Sequence, residues 1–209
     1  MPVYNGNIKQ KDLYFGGVKI KEAYYGSTKV YSAGYPAGTV IFESSTPGNH
    51  TVTLLYKQTY YIEIVGAGGG GYTSTLPWGS YPVTSSGSGG TGAFVYGNKV
   101  LNKGTYTVTI GSGGANGGGA GTASSAFGET AGAGGGGRGG SGGAGGSFTV
   151  VDLTGKSGYT GNARAASISW SNPSPRKESA YNDSLDGPGY GGATGENGGN
   201  GYIKIVAVQ

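Results

Sequence analysis

Several short motifs in this chain carry residue types at spacings that could do chemistry, and glycine supplies most of each. Gly66-Ala67-Gly68-Gly69-Gly70-Gly71 satisfies G-x-G-x-x-G and follows a strand-like run. A dinucleotide site also needs a helix immediately afterwards, whose N-terminus holds the pyrophosphate. The residues that follow, YTSTLPWGSYP, cannot form it. Gly139-Gly140-Ser141-Gly142-Gly143 fits the nucleophile elbow G-x-S-x-G, again without its strand and helix. The single histidine, His50, stands at the start of a hairpin pattern, so Ser141 has no credible base. Gly155-Lys156-Ser157 ends like a phosphate loop, but Val150 occupies the required upstream glycine position. Arg138 between glycines is one copy of an RNA-binding box that needs many. Asp183 and Asp186 offer two carboxylates where a hard cation wants more oxygen ligands. No enzyme reading survives, and neither a cofactor nor a metal is expected.

Binding is the other chemistry the residue types allow. Three inserts between glycine tracts are rich in aromatic and basic side chains. The first, 72–86, carries Tyr72, Trp78 and Tyr81. The second, 122–131, carries Phe127 and Glu129. The longest, 147–186, carries Tyr159, Arg164, Trp170, Arg176, Lys177 and Tyr181. Tyr, Trp and Arg set among Ser, Gly and Asn is the composition of antibody binding loops, where rigid aromatics anchor and small polar residues adapt. Trp78 and Trp170 have a second possible role, shielding backbone amides at an open end of the scaffold. Phe148–Leu153 reads as a core strand rather than a contact surface.

The tracts that must position these loops contain few side chains. They run 66–71, 87–92, 111–146 and 187–201, and the chain has 49 Gly in 209 residues. Glycine loses more backbone entropy on folding than any other residue, so such tracts commonly serve as linkers. The ordered alternative is an extended helix with three residues per turn and no internal hydrogen bonds, several of which must pack side by side. Collagen is excluded, because runs such as GGANGGGAG keep no three-residue register. With 17 Tyr, 5 Phe and 2 Trp, the chain is too aromatic for a wholly disordered one. Cysteine is absent, so there are no disulfide staples or thiolate metal sites. No run approaches a membrane span, and the first ten residues lack the apolar core of a signal peptide. Production in the cytosol, with any exit by assembly or lysis, is therefore expected. A formal charge of +4 is too small for a nucleic-acid interface.

An alternating pattern supplies the frame. TVIFES, HTVTLLY, TYYIEIV, GAFVYGNKVL, GTYTVTI and the C-terminal GYIKIVAV read as strands, with GAFVYGNKVL and GTYTVTI pairing across Asn102-Lys103-Gly104. No segment shows helical periodicity. The expected fold is all-β: a sheet or sandwich over 37–209 that continues into a polyglycine II bundle with projecting loops. Residues 1–36 form a separate module. VYNGNIKQ, LYFGGVKI and AYYGSTKV align at a ten-residue repeat, each a short hairpin pattern. Three such units suit either a plug on the threefold axis of a trimeric fibre or a β-subdomain packed on the rest of the chain. In the first case Tyr4, Tyr14, Phe15, Tyr24, Tyr25 and Val30 are the attachment residues.

Strand–GAGGGG, then GGTGAFVYGNKVLNKGTYTVTIGSGG, then a long glycine-rich stretch closing on GGNGYIKIVAV resembles the glycine-rich domain of phage tail proteins. In organisation it is similar to the tail-fibre-tip adhesins of T-even-type phages. The resemblance covers about residues 39–209; the N-terminal repeats do not match the attachment domain of that family. It implies a polyglycine II bundle whose variable loops touch a bacterial receptor, either an outer-membrane protein or a surface glycan. It also implies production in the host cytoplasm and a place at the distal tip of a tail fibre in the virion, with no nucleic acid partner and no membrane insertion. A structural tail component that binds other virion proteins, and a polyglycine-type ice-binding protein, are the alternatives.

Overall fold

The computed structural model describes residues 4–5, 8–9, 13–15, 17–20, 22–25, 27–32, 34–78, 81–161, 163–164 and 188–208. Among these, every regular element is a β-strand, as the alternating pattern predicts, and every strand pairing is antiparallel. Three hairpins come first. Strand β1 (Tyr4–Asn5) pairs with β2 (Ile8–Lys9), β3 (Leu13–Phe15) with β4 (Val18–Ile20), and β5 (Glu22–Tyr25) with β6 (Thr28–Ser32). The ten-residue repeat reappears in their register: Tyr4 lies opposite Lys9, Tyr14 opposite Lys19, and Tyr24 opposite Lys29.

Thirteen further strands follow: β7 (Val40–Ser44), β8 (Gly48–Leu54), β9 (Gln58–Val65), β10 (Tyr72–Trp78), β11 (Tyr81–Gly87), β12 (Phe94–Leu101), β13 (Gly104–Ile110), β14 (Ser124–Ala126), β15 (Glu129–Ala131), β16 (Phe148–Thr149), β17 (Thr154–Lys156), β18 (Ala163–Arg164) and β19 (Tyr202–Ala207). Ten of them build two five-stranded sheets, in the orders β17-β12-β9-β19-β7 and β16-β15-β14-β13-β8. The sheets face each other across one core. Tyr60, Ile62 and Ile64 of β9, Ile203 and Ile205 of β19, and Val95 of β12 meet Leu54 of β8 and Val108 and Ile110 of β13. All of these are at most 2% exposed. Burying each such side chain is worth about 1.5–3 kcal/mol, which explains how a chain so rich in glycine can stay folded.

Two expectations are corrected. Strands β12 and β13 do not pair with each other. β12 lies between β9 and β17, and β13 between β8 and β14, so Asn102–Lys103 carries the chain from one sheet to the other. Both strands have an apolar face, and crossing between layers turns both faces into the shared core. Nor is Phe148–Leu153 a core strand. Phe148 and Thr149 are exposed, Val151 is 72% exposed, and only Val150 and Leu153 pack inward.

Candidate functional site

The register fixes where the glycine segments leave the sandwich. In one sheet Val65, Phe94, Tyr202 and Lys156 align in one row. In the other, Ala131 aligns with Ser124 and Phe148, and Ile110 with Gly48. Each of the four glycine tracts leads into or out of a strand end in one of these rows. At the opposite end lie the turns at 102–103 and 127–128, the link 55–57, and the point where the chain enters β7.

The segments are tied to one another by backbone hydrogen bonds, with a three-residue alternation of partner. In segment 66–71, Gly66 and Gly69 donate to the carbonyls of Ala93 and Gly90, Ala67 and Gly70 to those of Thr122 and Gly119, and Gly68 and Gly71 to those of Gly199 and Glu196. The same segment accepts from Gly134 and Gly137, from Gly114 and Gly117, and from Gly192. It thus has neighbours in segments 88–93, 119–123, 196–201, 132–137, 111–118 and 189–193. These are bonded to each other in a closed ring, through pairs such as Gly121 to Gly134, Thr122 to Ser112, Gly198 to Gly114, Gly199 to Tyr190, Gly89 to Gly192 and Gly90 to Gly135. Segment 88–93 has further partners in 142–147 and 157–161: Gly143 and Gly146 donate to Ser88 and Thr91, and Thr91 donates to Tyr159. A Cβ on Gly68 would fall on the Tyr190 carbonyl, and one on Gly70 on that of Ala115. At these positions only glycine fits, because backbone meets backbone.

At the far end of the segments sit the turns at 116–118, 138–141 and 193–196, together with the β10–β11 hairpin. Gly117, Gly118, Gly140 and Gly195 take positive φ there. Arg138 and Ser141 exchange two backbone hydrogen bonds at 2.9 Å, so the G-x-S-x-G match lies in a tight turn. The G-x-G-x-x-G match runs straight into β10 with no helix after it.

The predicted binding residues separate into three groups. Tyr72, at the base of β10, is half-buried, and its ring lies within reach of a Cβ on Gly118 or Gly139. The backbones of Trp78 and Tyr81 pair with each other at the tip of that hairpin, and Arg164 in β18 pairs with Ser86. These four stand on one three-stranded sheet beyond the segments. Tyr159 lies instead along the side of the array. Its amide donates to Thr91 Oγ1 at 2.6 Å, its ring packs by Phe94 and Val65, and Lys156 Nζ sits 5.5 Å from its centroid. Phe127 is at the opposite end of the molecule. It occupies the β14–β15 turn with φ 55°, half-buried, its ring edge-on to Tyr106 at 5.2 Å. Trp170, Arg176, Lys177 and Tyr181 lie outside the described residues, as do Asp183 and Asp186.

Beside Phe127 is a cluster that sequence reading missed. Glu129 is fully buried. It accepts hydrogen bonds from Lys99 Nζ at 2.5 Å and from the amides of Val151 at 2.8 Å and Asp152 at 3.3 Å. Lys99 also donates to the Phe127 carbonyl at 3.0 Å and pairs with Asp152. Burial works to lower the pKa of Lys99, but the hydrogen bonds to Glu129 and Asp152 outweigh it and hold the ammonium above its ordinary value. Every partner is satisfied, and the cluster pins the 150–153 turn to the sandwich. Also unforeseen is a shallow cleft of about 530 Å³ between Ser45, Pro188, Tyr190 and 197–200. Its Asn197 and Asn200 carboxamide oxygens accept from the amides of Asn116 and Gly113.

The architecture is therefore an antiparallel β-sandwich prolonged at one end by hydrogen-bonded glycine segments. No protein-family model matches the chain, and no curated protein matches it significantly.

Proposed function

We propose that this chain is a phage tail-fibre adhesin whose glycine segments form a polyglycine II bundle and whose far-end loops bind a bacterial surface receptor, either protein or glycan. The observation that carries the reading is the three-residue alternation of hydrogen-bond partners along 66–71 and 88–93, which is the repeat of a three-residue-per-turn helix packed among like neighbours. Such a bundle is stiff. Loops held on it lose less conformational entropy on contact than loops on a flexible chain, and that favours affinity. The polarity of the chain supports the same reading: Trp78, Tyr81 and Arg164 lie at one end, and residues 1–36 enter at the other. In this reading the N-terminal hairpins mount the chain on a trimeric tail-fibre protein at the tip of the virion's fibre, using Tyr4, Tyr14, Phe15, Tyr24, Tyr25 and Val30. The mechanism is binding, not chemistry.

Binding of fluorescently labelled full chain, and of a chain lacking residues 1–33, to a panel of intact bacteria tests it. The adhesin reading predicts that both bind the same narrow set of strains. Folded protein that binds none would favour the structural tail component instead. Ice binding has one observation in its favour. The outward positions of the β8 sheet are Asn49, Thr51, Thr53, Thr105, Thr107, Thr109, Ser125, Thr130 and Thr149, a threonine-rich face without charge. An ice-recrystallisation assay decides that question.

A further inference from the structure

Two charged residues occupy core positions of the sandwich. Lys99 has the inward parity of Val95 and Leu101 in β12, and Glu129 that of Ala131 in β15. The Lys99 side chain is 14% exposed and that of Glu129 not at all. Taking an ion pair out of water costs about as much as the attraction returns, so a salt bridge alone is a weak reason to keep charge here. A third group adds reactivity. Lys99 Nζ touches Glu129 Oε1 at 2.5 Å and Asp152 Oδ2 at 3.0 Å, and it also donates to the Phe127 carbonyl at 3.0 Å. An amine thus meets one carboxyl group while a second, fully buried, holds the same nitrogen. The three come from different parts of the frame: Lys99 from one sheet, Glu129 from the other, and Asp152 from the link between β16 and β17. Cysteine is absent, so no disulfide can tie these parts together.

We propose that the folded chain cross-links itself by an isopeptide bond between Lys99 Nζ and Asp152 Cγ, with Glu129 carrying the protons. Glu129 takes one proton from the Lys99 ammonium. The freed amine attacks Asp152 Cγ, and Glu129 passes that proton to an Asp152 oxygen. A second proton moves from the nitrogen through Glu129 to the same oxygen, which leaves as water. One C–N bond forms, one C–O bond breaks, and Glu129 ends as the carboxylate it was, so no oxidant or co-reactant enters. Position supplies what a free amine and carboxylate in water lack, because groups held about 3–3.5 Å apart react as one molecule rather than two. The Asp152 carbon lies one bond behind an oxygen already 3.0 Å from the nitrogen. Asp152, not Glu129, is the acceptor. Both Glu129 oxygens are held, Oε2 by the Val151 amide and Oε1 by Lys99 and the Asp152 amide, in a place closed to solvent. The Asp152 side chain is 59% exposed, which gives the released water a way out. The product ties β12 to the 150–153 turn, whose flanking strands are only two and three residues long.

The test is intact-mass spectrometry of the purified full chain, with allowance for removal of Met1. The parent should be lighter than its sequence mass by one water. Its tryptic digest should contain a branched peptide joining Lys99 to Asp152 and uncut after Lys99. Asp152→Ala and Lys99→Arg should keep their full sequence mass; Asp152 is exposed, so the first should fold, and circular dichroism checks both. Asp152→Asn should form the same amide by releasing ammonia, and so end at the parent's mass. Glu129→Gln keeps the shape of the buried group but cannot relay a proton, and it should stay at full mass. A folded parent at full sequence mass would overturn the proposal. So would a water loss that persists in Asp152→Ala, a branch joining Lys99 to Glu129, or cross-linking in Glu129→Gln as complete as in the parent.

Discussion

Gly70→Ala should destabilise this protein substantially, although glycine-to-alanine changes in flexible segments usually help. In a linker the change stabilises by about 0.4–1 kcal/mol, because alanine leaves the unfolded chain less freedom to lose. Gly70 is buried. Its amide donates to the Gly119 carbonyl at 2.8 Å, and its carbonyl accepts from Gly137 at 2.9 Å. A Cβ there would overlap the Ala115 carbonyl, which is backbone and cannot swing aside like a side chain. Moving the segment to relieve the overlap stretches both hydrogen bonds in a buried place, at about 1–3 kcal/mol each. Set against the gain in the unfolded state, the net loss is about 2–4 kcal/mol. For a chain of this size that lowers the melting temperature by about 5–15 °C. Gly104→Ala is the control, since its Cβ would rest in ordinary contact 3.4 Å from the Tyr106 ring. Differential scanning calorimetry of both variants gives the answer. If Gly70→Ala melts with or above the parent chain, the glycine segments are not closely packed and the scaffold argument fails.

Other consequences follow from the sandwich. Glu129→Ala leaves Lys99 and two backbone amides without their carboxylate, and urea unfolding should show a loss of about 3–5 kcal/mol. The double variant Lys99→Met with Glu129→Leu should lose less than that single one, because no uncompensated charge remains. Tyr60 donates to the Tyr56 carbonyl at 2.8 Å, and burial foremost, then Tyr35 and Tyr106, raises its pKa to about 12. The unfolded chain releases that proton nearer pH 10, so stability is intact below pH 10 and falls as pH rises towards 12, by up to about 2–3 kcal/mol. Chemical denaturation across that pH range should show this part of the fall absent in Tyr60→Phe, which instead forfeits about 1 kcal/mol at neutral pH.

Strands with strict alternation could be read directly from the sequence. β9 and β19 bury every second residue, and both were visible as Tyr60-Ile62-Ile64 and Ile203-Ile205-Ala207. Their partners were not legible, because the link at Asn102–Lys103 is as short as a hairpin turn yet crosses between sheets. TASSAFGETA read as a projecting insert because its strands are three residues long and its key side chain is a glutamate. Only the Lys99 ammonium and two amides, brought from distant parts of the chain, make burial of Glu129 tolerable. The candidate site was legible as composition: Tyr72, Trp78, Tyr81 and Arg164 flank glycine tracts. That Phe127 sits at the other end depends on strand register, which composition does not encode.

The central claim is that the far-end loops on the glycine scaffold recognise a cell. The most direct measurement is binding to a responsive bacterial strain of the full chain beside a variant with Trp78, Tyr81 and Arg164 changed to alanine, circular dichroism confirming an unchanged fold. The account predicts that the folded variant loses binding while the parent keeps it. Equal binding by both would contradict it, and would move the contact surface away from these loops.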